Sequence, residues 1–275
     1  MIAIVYSARD PVGLGVASRI LSTTRWAEAS CARSFLCRRS EDLQAYLAGF
    51  PEDSIYMEFL DEVFGGLGVS AYLVLSRHAS RSGRPSLTVH STGNYGEAEY
   101  GGRPRELGWS NPTLEGALLR KYFEAARSRG LLERYWIGLE ATHHGPTGLR
   151  TPITFIEIGS TEAEWSDAAA QEAMAEAVVE ALSSPAPACE RAAGFGGTHY
   201  PERHTKLMLE GGLCYGHVLA RYALQYPDRR VIGQAMQKNS GGISKVVVER
   251  KSVGAEARRA IEEEAAARKL DIMYI

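Results

Sequence analysis

Short apolar runs alternate with stretches of helical periodicity along the whole chain. The runs, rich in β-branched and aromatic residues, predict strands at 2–7, 54–59, 71–76, 87–92, 135–142, 153–159, 191–197 and 245–249. The spacing between them predicts helices through 16–21, 112–129, 202–209 and 255–268. Pro112 and Gly130 are a typical start and stop for the second of these helices. Strands that alternate with helices in this way are typical of an α/β layered sheet with helices on both faces.

One more predicted helix is acidic, and it changes how the net charge of the chain is understood. Ala170, Met174, Val178 and Leu182 form its apolar stripe, and glutamates lie on the opposite face. The segment 151–190 holds eight acidic and no basic residues, whereas the rest holds all 31 basic residues and 25 acidic ones. The net charge of −2 therefore hides a mildly basic remainder. That remainder either faces an anionic partner or is simply a solvated surface.

Composition predicts an ordinary soluble protein. The chain has 275 residues, 45% of them hydrophobic, which suits one domain over 1–275, because the only linker-like run, 183–187, is too short to divide it. Neither a membrane helix nor a secretory signal is expected, so we expect a cytoplasmic protein. The four cysteines form no C-x-x-C pair, which predicts reduced side chains and no disulfide framework, with Cys189 and Cys214 as small buried residues.

Seven histidines carry the main chemical signal. Six of them lie in turn-rich segments or at strand ends, at 78, 90, 143, 144, 199 and 204, and the seventh is His217. Each one alone is more often a hydrogen-bonded structural residue than a ligand. In open α/β sheets, however, ligands bind beyond the carboxyl ends of the strands. Since imidazoles with carboxylates suit zinc, the sequence favours a zinc site built from several histidines.

The segment EATHHGP, which begins at Glu140, is the most specific single stretch. In an extended chain Glu140 and His144 lie roughly 13 Å apart at ~3.3 Å per residue, too far to share one metal ion. A turn at Gly145 and Pro146 would shorten the distance from Glu140 to the histidines. We therefore expect Glu140 to act as a general base or to support the ligands. A buried polar network at the strand end is the alternative.

A glycine-rich turn and two basic segments could bind an anion. The turn contains Gly194, Gly196 and Gly197, followed by Thr198 and His199. Glycine permits positive φ, so free backbone N–H groups there could cradle an anion, although an ordinary turn is the alternative. The basic residues that could contact phosphates are Arg77, Arg81, Arg84, Arg203 and Lys206. A solvated loop would explain the first three equally well.

Three long motifs now make a family resemblance visible. They are SRHASRSGRPSLTVHSTGN, EATHHGPTGLRTPITFIEIGSTEAEW and GFGGTHYPERHTK, in that order. Together they resemble the D-aminoacyl-tRNA deacylases of the archaeal and plant type, over nearly the whole chain. The resemblance implies hydrolysis of the ester between a D-amino acid and tRNA, which keeps D-amino acids out of translation. It also implies two Zn²⁺ ions per subunit, and three α/β/α layers around a mixed sheet, similar to the phosphorylase and peptidyl-tRNA-hydrolase group.

Residue chemistry suggests roles for that reaction. An aminoacyl ester needs a positioned water, a base and stabilisation of the oxyanion, and zinc can supply the first and third. We expect the ligands to come from His90, His143, His144 and His199. Glu140 is the expected base, with His144 and Thr198 also taking part. In a competing mechanism without metal, backbone amides near Gly196 and Gly197 orient the ester and the terminal 2′-hydroxyl of tRNA assists.

The expected partner is the acceptor end of a tRNA that carries a D-amino acid. The five basic residues named above would contact its phosphates, which carry little sequence information, so many tRNAs should serve. We expect no membrane association, no obligate protein partner, and a monomer or weak homodimer. Two other functions stay open: a zinc-dependent amidase or peptidase on small substrates, and a non-catalytic tRNA-binding protein.

Overall fold

The computed structural model describes residues 1–186 and 188–275, and its strands form two sheets. The larger sheet contains β1 (Ile2–Ser7), β2 (Ala27–Glu28), β3 (Leu36–Ser40), β4 (Ala45–Phe50), β5 (Ala71–Ala79), β6 (Ser86–Ser91), β7 (Trp136–Leu139) and β8 (Ile153–Ser160). Its order is β2-β3-β4-β1-β5-β8-β6-β7. The four central strands β4, β1, β5 and β8 pair in parallel, whereas β8 is antiparallel to β6. The predicted α/β class with a mixed sheet is therefore confirmed.

The smaller sheet is entirely parallel. It contains β9 (Glu190–Phe195), β10 (Leu213–Leu219), β11 (Lys245–Val248) and β12 (Asp271–Tyr274), in the order β10-β9-β11-β12. The sequence pattern does not predict a second sheet, because it predicts strands near β9 and β11 but none at β10 or β12.

Helices cover both sheets. They are α1 (Pro11–Thr23), α2 (Leu60–Phe64), α3 (Pro112–Ser128), α4 (Glu162–Trp165), α5 (Ala168–Ser183), α6 (Glu202–Glu210), α7 (Arg229–Gln237) and α8 (Ala255–Ala267). Asp10 caps the start of α1, where its side chain accepts hydrogen bonds from the N–H groups of Val12 and Gly13. Asn111 caps α3 in the same way, by accepting a hydrogen bond from the N–H of Leu114. Gly130, at φ +67°, follows α3 as predicted.

Three apolar cores hold these layers together. The first joins α1, α3 and α5 to one face of the larger sheet and continues to β9 and β10 of the smaller one. The second lies under α2 on the opposite face of the larger sheet, and the third joins α7 and α8 to the smaller sheet. Because α3 packs against both sheets, it fixes the smaller sheet beside the larger one. A single domain over 1–275 stays a prediction.

The alternation of side chains along the central strands decides where polar groups lie. On β6, Leu87 and Val89 face the first core, so Thr88 and His90 face the opposite side of the sheet. On the neighbouring β8, Ile156 and Ile158 face the first core, so Glu157 joins that opposite side. These polar residues are therefore buried on one face at one end of the sheet.

Two predicted strands differ from the structure. The strand predicted at 54–59 is instead a 3-10 turn at Ser54–Tyr56 that leads into α2. The buried side chains here, Met57 and Leu60, are three residues apart, which is a helical spacing and not the alternation of a strand. The strand predicted at 135–142 ends at Leu139, where the chain turns. The acidic helix is confirmed as α5, and its Glu176 pairs with Arg129 at 2.6 Å. The predicted linker at 183–187 ends at Pro187, which lies outside the described residues.

The prediction of reduced cysteines is wrong for this structure. Cys31 is bonded to Cys37, and Cys189 to Cys214, each pair with Cα atoms 5.7 Å apart. The second pair forms because β9 and β10 lie side by side, which the sequence spacing of 25 residues does not reveal. Cys214 is buried as expected, whereas Cys189, just before β9, is only partly buried. None of the helices in 1–186 and 188–275 combines the length and the apolar character that a bilayer crossing needs.

Candidate active site

Seven ionisable side chains converge on the polar face of the larger sheet. We call them the site cluster: His78, His90, Glu140, His143, His144, Glu157 and His199. Three lie within or at the ends of β5, β6 and β8, and three follow β7. The last, His199, comes from the turn after β9, so both sheets contribute to the cluster. All four histidines that the sequence predicted as ligands are brought together here.

Glu140 lies at the centre of the cluster. Its Oε2 atom is 2.8 Å from Nε2 of His199, 3.2 Å from Nδ1 of His78 and 3.6 Å from Nε2 of His143. Its Oε1 atom accepts a hydrogen bond from the Thr88 hydroxyl. The carboxylate is only 2% exposed. A buried carboxylate surrounded by three imidazoles is arranged to hold them, or a metal ion, in place.

Glu157 is a second buried carboxylate that the sequence reasoning missed. Its Oε2 lies 3.4 Å from Nδ1 of His78 and 3.6 Å from Nε2 of His90. The signal was present, because this glutamate stands inside a strand whose other residues are apolar or small and fully buried. A charge in such a strand needs a partner, and His78 and His90 are those partners.

The chain turns where the sequence allowed it to turn. After β7, the backbone places Glu140 and His143 in one group of donor atoms. His144 adopts φ +44°, in the left-handed region, where non-glycine residues are uncommon. Its ring packs edge-on to His143, with centroids 4.4 Å apart, and also faces His90 at 4.9 Å. The chain from Glu140 to His144 is thus not extended.

Hydrogen bonds to backbone carbonyls fix the tautomers of three histidines. Nδ1 of His143 lies 2.8 Å from the Ala141 oxygen, and Nδ1 of His144 lies 2.7 Å from the Gly145 oxygen. Nδ1 of His90 is 3.1 Å from the oxygen of Ser91. A carbonyl only accepts, so each Nδ1 carries a proton. In the neutral imidazoles of His143 and His144, Nε2 therefore keeps its lone pair. This is the tautomer that binds a metal through Nε2.

Electrostatics separates the histidines into two kinds. Burial alone would lower the pKa of His78, but the charges of Glu140 and Glu157 outweigh it and raise that pKa. Burial and the neighbouring imidazoles lower the pKa of His143, and lower that of His144 to about 4. Burial would raise the pKa of Glu140, yet the hydrogen bond from His199 and the charge of His78 hold it below its usual value. Burial would lower the pKa of His90 as well, but the nearby Glu157 carboxylate outweighs it and raises that pKa. The cluster therefore combines ionised carboxylates and a charged His78 with the neutral imidazoles of His143 and His144.

Three overlapping groups of donor atoms in the described residues could hold a metal ion. The four-donor group is His78, Glu140, His143 and His199; the three-histidine group is His90, His143 and His144; the third consists of His90, Glu140 and Glu157. Within each group the donor atoms lie within 4.8 Å of one another. Nε2 of His90 is buried without a hydrogen-bond partner among the described residues. A buried ring nitrogen without a partner in a polar cluster fits a metal ligand, so the donor set is compatible with a metal ion.

The glycine turn does not offer the free amides that the sequence suggested. The N–H of Gly196 donates to the Leu219 carbonyl at 2.8 Å, and the N–H of Gly197 donates to the Ser252 hydroxyl at 2.8 Å. Gly194 lies buried inside β9. Gly196 and Gly197 have φ values of +106° and +83°, so glycine is needed there for the turn. The premise of an amide cradle is wrong for Gly196 and Gly197, while a substrate role for the loop stays a prediction.

The turn nevertheless positions the residues that follow it. The hydroxyl of Thr198 donates to the Tyr200 carbonyl at 2.8 Å, and the described residues show no hydrogen bond from it to the site cluster. His199, next along the chain, reaches Glu140. A catalytic role for Thr198 therefore stays a prediction.

The predicted basic residues differ in how available they are. Arg77 donates to the Arg9 carbonyl at 2.6 Å and lies 3.7 Å from Asp53, so internal contacts engage it. Arg84 lies over the Trp136 ring, 5.0 Å from its centroid. The remaining three basic residues are exposed. They are Arg81, in the loop after β5, and Arg203 and Lys206, on α6.

The two histidines outside the cluster are structural in this fold. His204 is fully buried against Tyr215, with ring centroids 5.0 Å apart. His217 bonds to the Thr142 hydroxyl and the Gly108 carbonyl. His217 is thus hydrogen-bonded, as a structural histidine usually is, whereas neither ring nitrogen of His204 has a hydrogen-bond partner among the described residues.

Two cavities open onto the cluster. One, of about 460 Å³, is lined by Asp10, Arg77 and Tyr100 and by cluster members. The other, of about 570 Å³, is lined by the loop 93–100 and Tyr222 and shares His143, His144 and His199 with the first. Volumes of this size suit a small-molecule group, so the cluster is open to a substrate on both sides.

Comparison with known proteins gives consistent results. The model of the family described as D-aminoacyl-tRNA deacylase matches residues 66–273. A D-aminoacyl-tRNA deacylase of Staphylothermus marinus is 42% identical over 99% of this chain and 98% of its own length, and one of Aeropyrum pernix is 44% identical over 95% of each. A crystal structure described as a conserved protein of unknown function, AF0625, superposes with a TM-score of 0.92 at 29% identity, covering 100% of this chain and 95% of that one.

Proposed function

The chain belongs to the D-aminoacyl-tRNA deacylase family, and we propose that its site cluster hydrolyses the ester between a D-amino acid and tRNA. The products are the free D-amino acid and the tRNA, so the reaction removes D-amino acids from translation. The observation that carries this proposal is the convergence of five imidazoles and two carboxylates beside open cavities, in a chain of this family.

We propose zinc as the ion of the four-donor group. Imidazole nitrogens and one carboxylate are the donors that zinc takes in catalytic sites. When bound, zinc polarises the ester carbonyl and acidifies a water molecule. The resemblance implies a second ion, for which the three-histidine group is the candidate. The two groups share His143, whose single free Nε2 can serve only one of them.

The attacking water must lose a proton, and two residues can accept it. Glu140 is the base predicted from the sequence, but both of its oxygens already accept hydrogen bonds. The Nδ1–H of His144 donates a hydrogen bond to the Gly145 carbonyl, which leaves Nε2 as a proton acceptor beside both cavities. We therefore assign the base role to His144. Glu140 instead holds the imidazoles of the four-donor group.

The tRNA would approach over the exposed basic residues. We propose contacts from Arg81, Arg203 and Lys206 to phosphates, and little from Arg77, whose guanidinium already makes internal contacts. Since charged tRNA is used in translation, we propose a cytoplasmic location. A monomer or weak homodimer, with no obligate protein partner, is the proposed assembly.

Hydrolysis of matched D- and L-tyrosyl-tRNA tests the function directly. We expect release of tyrosine from the D-ester only. Release from neither ester, together with tRNA binding, would favour a non-catalytic tRNA-binding protein. Hydrolysis of small amides without action on either ester would favour an amidase or peptidase, which the histidines alone would permit.

Two variants test the assignment of residues. The Glu140→Gln variant should lose both bound metal and activity, whereas His144→Gln should keep the ion of the four-donor group and lose kcat. Metal analysis of the wild-type protein decides the number of ions. A content of two per chain would make His144 a ligand and overturn its assignment as the base.

A further inference from the structure

The cavity of about 570 Å³ has an aromatic wall that the hydrolytic chemistry does not require. The rings of Tyr95 and Tyr222 lie with centroids 5.4 Å apart, and the two residues are 38% and 36% exposed. Tyr100 lines the same cavity and is 65% exposed. Exposed aromatic faces inside a concave site are typical stacking surfaces for flat rings.

This aromatic wall is joined directly to the site cluster. The hydroxyl of Tyr222 lies 3.1 Å from Nδ1 of His199, whose Nε2 contacts Glu140 at 2.8 Å. The cavity itself is bordered by His143, His144 and His199. A ring stacked on Tyr95 would therefore lie next to the reacting ester.

The charge of the cavity indicates which flat group it would accept. Glu97 and Glu99 line it, and none of its described lining residues is Lys or Arg. Carboxylates repel a phosphate but accept hydrogen bonds from an amino group. The cavity is thus suited to a nucleobase with an exocyclic amino group rather than to the phosphate backbone.

We propose that this cavity binds the terminal adenine of the tRNA acceptor end, stacked on Tyr95. The inference rests on the proposed function, because the aminoacyl ester is attached to the ribose of that nucleotide. The base is the same in every tRNA, so its recognition is compatible with action on many tRNAs. Glu97 and Glu99 would accept hydrogen bonds from its amino group, and the ribose would lie towards His199.

Steady-state kinetics on two substrates test the subsite. D-tyrosyl-tRNA carries all tRNA contacts, whereas D-tyrosyl-adenosine keeps only the terminal nucleoside. Tyr95→Ala should raise KM on the order of 10- to 100-fold for both, with little change in kcat. Tyr95→Phe keeps the stacking ring and should stay close to the wild type. Tyr226→Ala is the matched control, because Tyr226 is 86% exposed and outside the cavity.

The possible outcomes separate this inference from the proposed function. An unchanged KM for Tyr95→Ala, or a rise with D-tyrosyl-tRNA alone, would overturn the subsite while the deacylase function stands. If the wild type hydrolyses neither ester, the proposed function fails first. Competition needs no variant: adenosine should inhibit hydrolysis of D-tyrosyl-adenosine more strongly than uridine, and equal inhibition would overturn the proposal.

Discussion

Replacing Glu140 by glutamine removes the charge around which the imidazoles are arranged while keeping the size of the side chain. Oε2 of Glu140 lies 2.8 Å from His199 and 3.2 Å from His78. His78, which the two carboxylates hold in its charged form, would keep only Glu157 as a buried counter-charge. The hydrogen bond from Thr88 can be kept by the glutamine oxygen.

The expected loss follows from the burial of these groups. Removing one partner from a buried ion pair costs about 3–5 kcal/mol, because the other charge stays without compensation. Glu140 is 2% and His78 5% exposed, so solvent screens the pair little. We therefore expect the metal-free Glu140→Gln protein to lose about 3–5 kcal/mol of unfolding free energy at pH 7.

Urea unfolding of chelator-treated protein measures this loss. Glu115→Gln is the matched control, because Glu115 is also fully buried, but burial raises its pKa well above the usual value and so favours the uncharged form. That variant should lose less than about 1 kcal/mol, since it removes no charge. Equal losses in the two variants, or none in Glu140→Gln, would refute the central role given to the Glu140 charge.

Two further predictions concern the surface and the buried histidines. An alanine variant of Arg81, Arg203 and Lys206 should reduce the slope of log K against log salt for tRNA binding by about 0.7–0.9 per lost phosphate contact. Arg25 precedes the edge strand β2 and its side chain is 90% exposed, so Arg25→Ala should leave the slope unchanged. Burial lowers the pKa of His204 to about 4, so below pH 6.5 the unfolded chain binds a proton that the folded protein does not. The unfolding free energy of the wild type should therefore fall between pH 6.5 and 4 by about 3 kcal/mol more than that of His204→Leu. Parallel pH profiles in urea unfolding would contradict this.

Much of the larger sheet could be predicted because its central strands are continuous apolar runs. Strands β1, β5 and β8 match the predicted runs closely, since buried parallel strands need no polar alternation. The smaller sheet could not be predicted in the same way. Its strand β10 contains Gly216 and His217 among its apolar residues, and this composition is also found in loops.

The site could be predicted in residue types but not in arrangement. Histidines near strand ends indicated a ligand site, and His90, His143, His144 and His199 do meet. Their meeting depends on the antiparallel pairing of β6 with β8, which places Glu157 opposite Thr88 and is not readable from spacing. The availability of the glycine amides was likewise decided by long-range partners such as Ser252.

Deacylation by metal-free enzyme tests the central claim most directly. The protein is freed of metal with a chelator, and the rate of D-tyrosine release from D-tyrosyl-tRNA is measured before and after zinc is restored. We predict loss of activity on chelation and recovery with Zn²⁺, with L-tyrosyl-tRNA intact throughout. Full activity of the metal-free enzyme would contradict the account and favour a mechanism in which the tRNA 2′-hydroxyl assists.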